Sequence, residues 1–169
     1  MNNSKTLVNM ALAALMAAIY VALCYVLQPI SFGPIQFRFS EILCLLAIDF
    51  PWALIGVSVG CLLSNSFVGG LGMMDIVFGT LATIVGCFLA YLFKEKRYKG
   101  YPLISTLMIV LANAIIVGIE LGIIFETPNL IWLYIIQVGF GELVVLIIGL
   151  PIYKKVVAVI KDRQAAHSL

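Results

Sequence analysis

The sequence predicts an all-α integral membrane protein: a single six-helix transmembrane bundle, residues 1–169, with both termini in the cytoplasm. Three observations carry that expectation. Of 169 residues, 63% are hydrophobic and 11% charged, with mean hydropathy +1.15, against about 45–50% apolar and about 25% charged in soluble domains. Apolar runs of roughly 20 residues recur along the whole chain, the length that crosses a hydrocarbon core as a helix. These runs lack the alternation of barrel strands, so helices must satisfy the backbone inside the bilayer.

The first helix is expected over 5–28, stopped by Pro29. Its apolar stretch, 7–27, is longer than the roughly 7–15 residue core of a signal peptide and reads as a retained span. The next segment, 29–41, reads PISFGPIQFRFSE. Two prolines and a glycine forbid a continuous helix there. Phe32, Phe37 and Phe39 make it too apolar for a solvated linker, whereas Gln36, Arg38, Ser40 and Glu41 need polar partners. Such a segment is expected to be a structured lid or a re-entrant element lying over a cavity.

A short apolar helix follows at about 40–49, broken at Asp49–Phe50–Pro51. Pro51 suits the first turn of a third helix (51–67), with Asp49 as a possible cap. Gly69, Gly70 and Gly72 mark a turn. The fourth helix is expected over 73–93, the fifth over 102–125 and the sixth over 130–157. The positive-inside rule supports this count: Lys5, the cluster Lys94, Lys96, Arg97 and Lys99, and the tail Lys154, Lys155, Lys161 and Arg163 all fall on one side of six spans. The second helix is the weak member, since about ten residues at 1.5 Å each cover half the core. On this topology the 29–41 segment is extracellular, a gating loop.

Polar residues inside the spans are costly and therefore face a cavity or a partner. Asn65, Asp75, Asn113, Glu120, Gln137 and Glu142 are of this kind, and most fall in the outer half. Asn113 and Glu120 are two helical turns apart on one face. Gln137 lies about 10 Å into the sixth helix and Glu142 nearly 20 Å, at 1.5 Å per residue. Gln36, Arg38 and Glu41 join them from the lid. Tyr25 and Trp132 are candidate flat walls, and Phe32, Phe37 and Phe39 candidate gate residues. Each polar group alone is equally an interhelical hydrogen bond; together they suggest one outward-facing pocket. A carboxylate accepting two parallel N–H donors recognises a guanine-like edge, and a second carboxylate suits a cationic amine. A proton relay would use the same acids.

Small residues on the first helix, Ala13/Ala17, Ala14/Ala18 and Ala18/Ala22, permit close helix approach, within the chain or to another subunit. The fourth helix carries a comparable stripe, Asp75, Gly79, Ala82, Thr83 and Gly86, read as internal packing. Cys24, Cys44, Cys61 and Cys87 stand singly in apolar runs and read as buried free thiols. His167 reads as inert, and no metal or cofactor is expected. There is no GxxxxGK[ST] phosphate loop, so any ATP hydrolysis would fall to another chain. No nucleophile–base pair is visible and no enzymatic activity is expected.

PISFGPIQFRFSE, followed by GCLLSN, the glycine turn and MMDIVFGTLATIVG, resembles the QueT family of queuosine-precursor transporters over nearly the whole chain. The resemblance implies a substrate-binding S component of an energy-coupling factor (ECF) transporter. It would dock on a transmembrane T component driven by two ATPase subunits. The implied cargo is a 7-deazaguanine, foremost 7-aminomethyl-7-deazaguanine, and the implied docking face is Ala13/Ala17 or Ala14/Ala18. No nucleic-acid partner is implied. The alternatives at this point are a standalone proton-coupled carrier for a nucleobase-like substrate, or a membrane protein without transport function.

Overall fold

The computed structural model describes residues 3–32, 35–69 and 71–166; Gly33, Pro34, Gly70 and His167 lie outside the described residues. The chain forms α1 (Asn3–Val26), α2 (Gln28–Ser31), a 3₁₀ helix (Phe39–Ile48), α3 (Pro51–Phe67), α4 (Met73–Leu92), α5 (Leu103–Ile124), a 3₁₀ turn (Pro128–Leu130) and α6 (Ile131–Ala166). Helices α1, α4, α5 and α6 contain segments long and apolar enough to cross a membrane, whereas the 3₁₀ helix and α3 are shorter apolar helices.

Three expectations change in detail. The first helix ends at Val26, and Pro29 sits in the first turn of α2 rather than ending a helix, a position that needs no N–H donor. The last helix runs on to Ala166 rather than 157. The expected second helix is a 3₁₀ helix, not an α-helix. Its rise of about 2.0 Å per residue stretches ten residues to about 20 Å.

Seven of those ten residues are buried, Ser40, Glu41, Cys44, Leu45, Leu46, Ala47 and Ile48. The remaining helices form a wall around them, α1 packing on α3, α3 on α4, α4 on α5 and α5 on α6, while the 3₁₀ helix touches all five. Its shortness is therefore covered by protein rather than exposed to lipid, and backbone so covered is tolerated at membrane depth. Three residues per turn stack Glu41 above Cys44 on one face. Leu45 and Ile48 fall on another and enter the main core with Tyr20, Val57, Ile109 and Leu146.

Glycines set the closest helix contacts. A Cβ on Gly56 of α3 would stand 2.7 Å from the Ala13 carbonyl oxygen, and one on Gly60 2.7 Å from the Tyr20 Cβ. Ala13 and Ala17 are buried in this α1–α3 seam, while Ala14, Ala18 and Ala22 are exposed. The α4 stripe Asp75, Gly79, Ala82, Thr83 and Gly86 is buried, as expected. Large apolar side chains such as Leu15, Ile55, Phe88, Ile115 and Ile147 face outward, a surface that suits lipid rather than water.

Away from the lid, the end of the 3₁₀ helix is clamped at Asp49. Arg97, in the α4–α5 connection, donates to both Asp49 oxygens at 3.0 and 3.1 Å, and Lys161 of α6 to Oδ1 at 2.7 Å. Tyr153 donates to Oδ2 and accepts from Arg97 at 3.0 Å. Burial alone would raise the Asp49 carboxyl, but the hydrogen bonds from Lys161, Tyr153 and Arg97 outweigh it and hold it below the usual carboxylate range.

Candidate functional site

The polar residues converge at the other end of the 3₁₀ helix. Ile35–Arg38 crosses this end in non-helical backbone, tied to α2 by the Phe37 N–H to Ile30 carbonyl bond at 3.1 Å. Gly141 of α6 lets the segment sit close, since a Cβ there would press into the Gln36 carbonyl. Beneath it lies a cavity of about 10 Å³ lined by Gln36, Arg38, Glu41, Asn113, Val117, Val138 and Glu142. That volume holds about one water.

Glu41 is the best satisfied acid. Its carboxylate accepts from the Tyr20 hydroxyl, from the Cys44 thiol at 2.9 Å and from the Thr83 hydroxyl at 3.4 Å. The Cys44 bond follows from the 3₁₀ winding, which stacks residues three apart. Cys61 is a second hub, its sulfur accepting from Thr83 at 3.3 Å, Asn65 at 3.6 Å and Arg38 at 4.0 Å. All four cysteines are buried free thiols, as expected.

Arg38 is buried, with its guanidinium 5.0 Å from the centroid of the Phe32 ring and one arm 3.5 Å from the Gln36 amide oxygen. Arg38 makes no salt bridge to Glu41 or Asp75; among the described residues the ion pairs are those on Asp49.

The other acids differ from Glu41. Asp75, Glu120 and Glu142 are 1%, 0% and 4% exposed. Both oxygens of Asp75, both of Glu120 and Oε1 of Glu142 have no hydrogen-bond partner. Unpaired buried carboxylate oxygens are expensive, and one Arg38 faces four buried acids.

The remaining expected residues are distributed as follows. Asn113 lines the cavity and its amide nitrogen donates to its own helix, at Ile109, 3.2 Å. Asn65 joins α3 to α4 by donating to the Asp75 carbonyl at 2.9 Å. Gln137 is half-buried and outside the cavity lining. Phe37 packs edge-on against Phe140 at 6.4 Å, and Phe39 is half-buried.

Two expectations are corrected. Tyr25 is 71% and Trp132 61% exposed, so neither walls the cavity. Tyr20 and Cys24 define the inward face of α1, and position 25 lies about 100° round from 24. Trp132, at the start of α6, faces outward instead. Tyr20, Cys44, Cys61 and Thr83 were not among the expected site residues. The available signal was positional: 13, 17, 20 and 24 share one helix face.

Several helices long and apolar enough to cross a membrane, packed around a small buried cavity lined by Glu41, Glu142, Arg38, Gln36 and Asn113, are the frame of a multi-pass membrane protein. The family model described as QueT transporter matches residues 10–157, and the chain belongs to the QueT transporter family. It is 32% identical over 168 residues to the queuosine precursor transporter QueT of Lactococcus lactis subsp. cremoris (strain MG1363), covering 92% of this chain and 95% of that protein. No solved structure gives a significant match.

Proposed function

We propose that this transporter is the substrate-binding S component of an ECF-type system, a six-span bundle with both termini cytoplasmic. It captures a 7-deazaguanine queuosine precursor, foremost 7-aminomethyl-7-deazaguanine, beneath the lid. The observation that carries the substrate class is the acid excess: Glu142, Glu120 and Asp75 have oxygens without partners around a site with one arginine. A deazaguanine edge offers N–H donors, and an aminomethyl group adds a cation, so both charge and hydrogen-bond polarity are complementary. The queuosine precursor for which the Lactococcus lactis relative is named agrees with this chemistry.

A cavity of about 10 Å³ is far below the about 300–1,000 Å³ of ligand pockets. Admission of a bicyclic base therefore requires the 35–38 segment to lift, with Phe32 and Phe37 closing over the cargo afterwards.

The partner half of the proposal rests on α1. Ala13 and Ala17 are used within the chain, leaving Ala14 and Ala18 as the small-residue pair available to a T component. Ala14 lines an apolar groove of about 550 Å³ between α1 and α3, together with Ala13, Ala17, Met10, Trp52 and Ile55. Two ATPase subunits would supply the energy.

Calorimetry of the purified chain against 7-aminomethyl-7-deazaguanine, guanine and B vitamins tests the substrate. Selective binding of the deazaguanine is expected, and equal or absent binding overturns the assignment. Co-purification with a T subunit and two ATPases tests the partners. Uptake that persists without them and collapses with the proton gradient would assign a standalone carrier instead.

A further inference from the structure

We propose that the α4–α5 hairpin and the C-terminal part of α6 form a binding surface for the phosphate headgroups of anionic phospholipids, centred on Lys99 and Lys154. Eight of the ten basic residues of the chain lie in 94–99 and 154–163. Their roles divide sharply. Arg97 and Lys161 are engaged by Asp49. Lys94, Lys96, Lys99 and Lys154 make no ion pair among the described residues and instead lie over aromatic rings.

Lys94 lies 4.1 Å from the Tyr91 centroid and Lys96 5.3 Å from that of Phe93. Lys99 lies 5.6 Å from Tyr98 and Lys154 4.8 Å from Tyr101. The last pair joins two elements far apart in sequence, so it is a tertiary contact rather than local helix geometry.

The hairpin that brings these groups together is specified by its turn. Tyr98 and Tyr101 exchange both backbone hydrogen bonds, at 2.9 and 3.0 Å. Lys99 and Gly100 between them have φ of 50° and 81°, the two-residue turn with positive φ at both positions. Lys154 Nζ comes within 3.8 Å of where a Gly100 Cβ would stand. Two ammonium groups without carboxylate partners thus flank one tight turn.

Depth places this surface at headgroup level. At 1.5 Å per residue Lys154 lies about 34 Å along α6 from Ile131, just beyond a hydrocarbon core of about 30 Å. Aromatic rings with lysines above them match the interface, where rings sit at headgroup depth and ammonium groups reach phosphate. The exposed acids nearby, Glu95 and Asp162, make no ion pair with these lysines among the described residues.

The test is native mass spectrometry of the full chain in detergent, titrated with phosphatidylglycerol, phosphatidylcholine or inorganic phosphate. Phosphatidylglycerol is expected to bind in preference to phosphatidylcholine. Neutralising one lysine should weaken it about fivefold, and Lys99→Gln with Lys154→Gln about 30-fold, while Lys99→Arg with Lys154→Arg should retain it. Adducts formed equally by inorganic phosphate overturn the lipid assignment in favour of a free-anion site. Weakening by Lys5→Gln, an exposed lysine outside this surface, equal to that by Lys99→Gln overturns the site in favour of diffuse attraction. Retention of a bound ATPase partner in place of lipid overturns it as well.

Discussion

Tyr20 on α1 donates its phenolic hydrogen to Glu41 of the 3₁₀ helix, a buried bond between residues twenty-one apart in sequence. With Cys44 and Thr83 as further donors, Glu41 has a partner on each oxygen before any solute arrives. It is a scaffold carboxylate, unlike Glu120 and Asp75, neither of whose oxygens has a hydrogen-bond partner, and Glu142, whose Oε1 has none. Tyr20→Phe leaves a buried acceptor short of a donor and is expected to lower stability by about 1–3 kcal/mol. Thermal melting in detergent reads this, and an unchanged melting temperature would refute the scaffold role.

Glu142→Gln and Glu120→Gln are expected to weaken binding of 7-aminomethyl-7-deazaguanine with the bundle still folded. Loss of one charge-assisted pair should cost about 1.5–3 kcal/mol, or roughly ten- to a hundredfold in affinity. Calorimetric affinities at wild-type level in both variants would remove these acids from the site.

Gly141→Ala is expected to lift the lid. The added methyl must displace the Gln36 main chain, since the Gln36 carbonyl carbon would lie 3.0 Å away with its oxygen closer still. Cys61 lies against Arg38 and Cys44 against Glu41, so a maleimide should label them in the variant and spare them in the parent. Full thiol protection in a folded Gly141→Ala protein would show that the lid does not depend on this contact.

Asp49→Asn is expected to lower the melting temperature in a pH-dependent manner. The folded-state carboxyl lies below its ordinary value, about 3.9 in an unfolded chain. Its contribution is therefore complete above that unfolded value and is lost as pH falls through the lower folded value. The gap between parent and variant should be widest near neutrality and close in acid. A gap indifferent to pH would mean that the loss is one of packing alone.

Tryptophan at Ala14 and Ala18 is expected to block uptake while sparing substrate binding, because both residues are exposed. Loss of binding in parallel with uptake would count against a docking face there.

Helix positions were legible because most breaks are chemical: Asp49–Pro51, the glycine turn and the basic 94–99 loop each interrupt an apolar run, whereas Pro29 opens α2 instead of ending α1. The acids were legible because a charge within such a run is costly. The winding of residues 39–48 was not, since a ten-residue, mostly apolar run satisfies a 3₁₀ and an α register alike, and this one is packed by five surrounding helices. Tyr20, Thr83, Cys44 and Cys61 carry no charge, and in composition they look the same whether they face lipid or cargo. Tyr25 was misplaced because one step along a helix turns a side chain by about 100°. The partner of Arg38 depended on Phe32 offering a ring six residues earlier, a geometry set by how the lid folds back.

The 3₁₀ winding of residues 39–48 also makes the centre of the bundle a length reserve. Ten residues span about 20 Å in this form and about 15 Å as an α-helix. One end follows Arg38 and the other leads into the Asp49 clamp, so the separation of lid and clamp is set by the pitch of a single segment. Rewinding it would draw the two together by about 5 Å, the length of one α-helical turn.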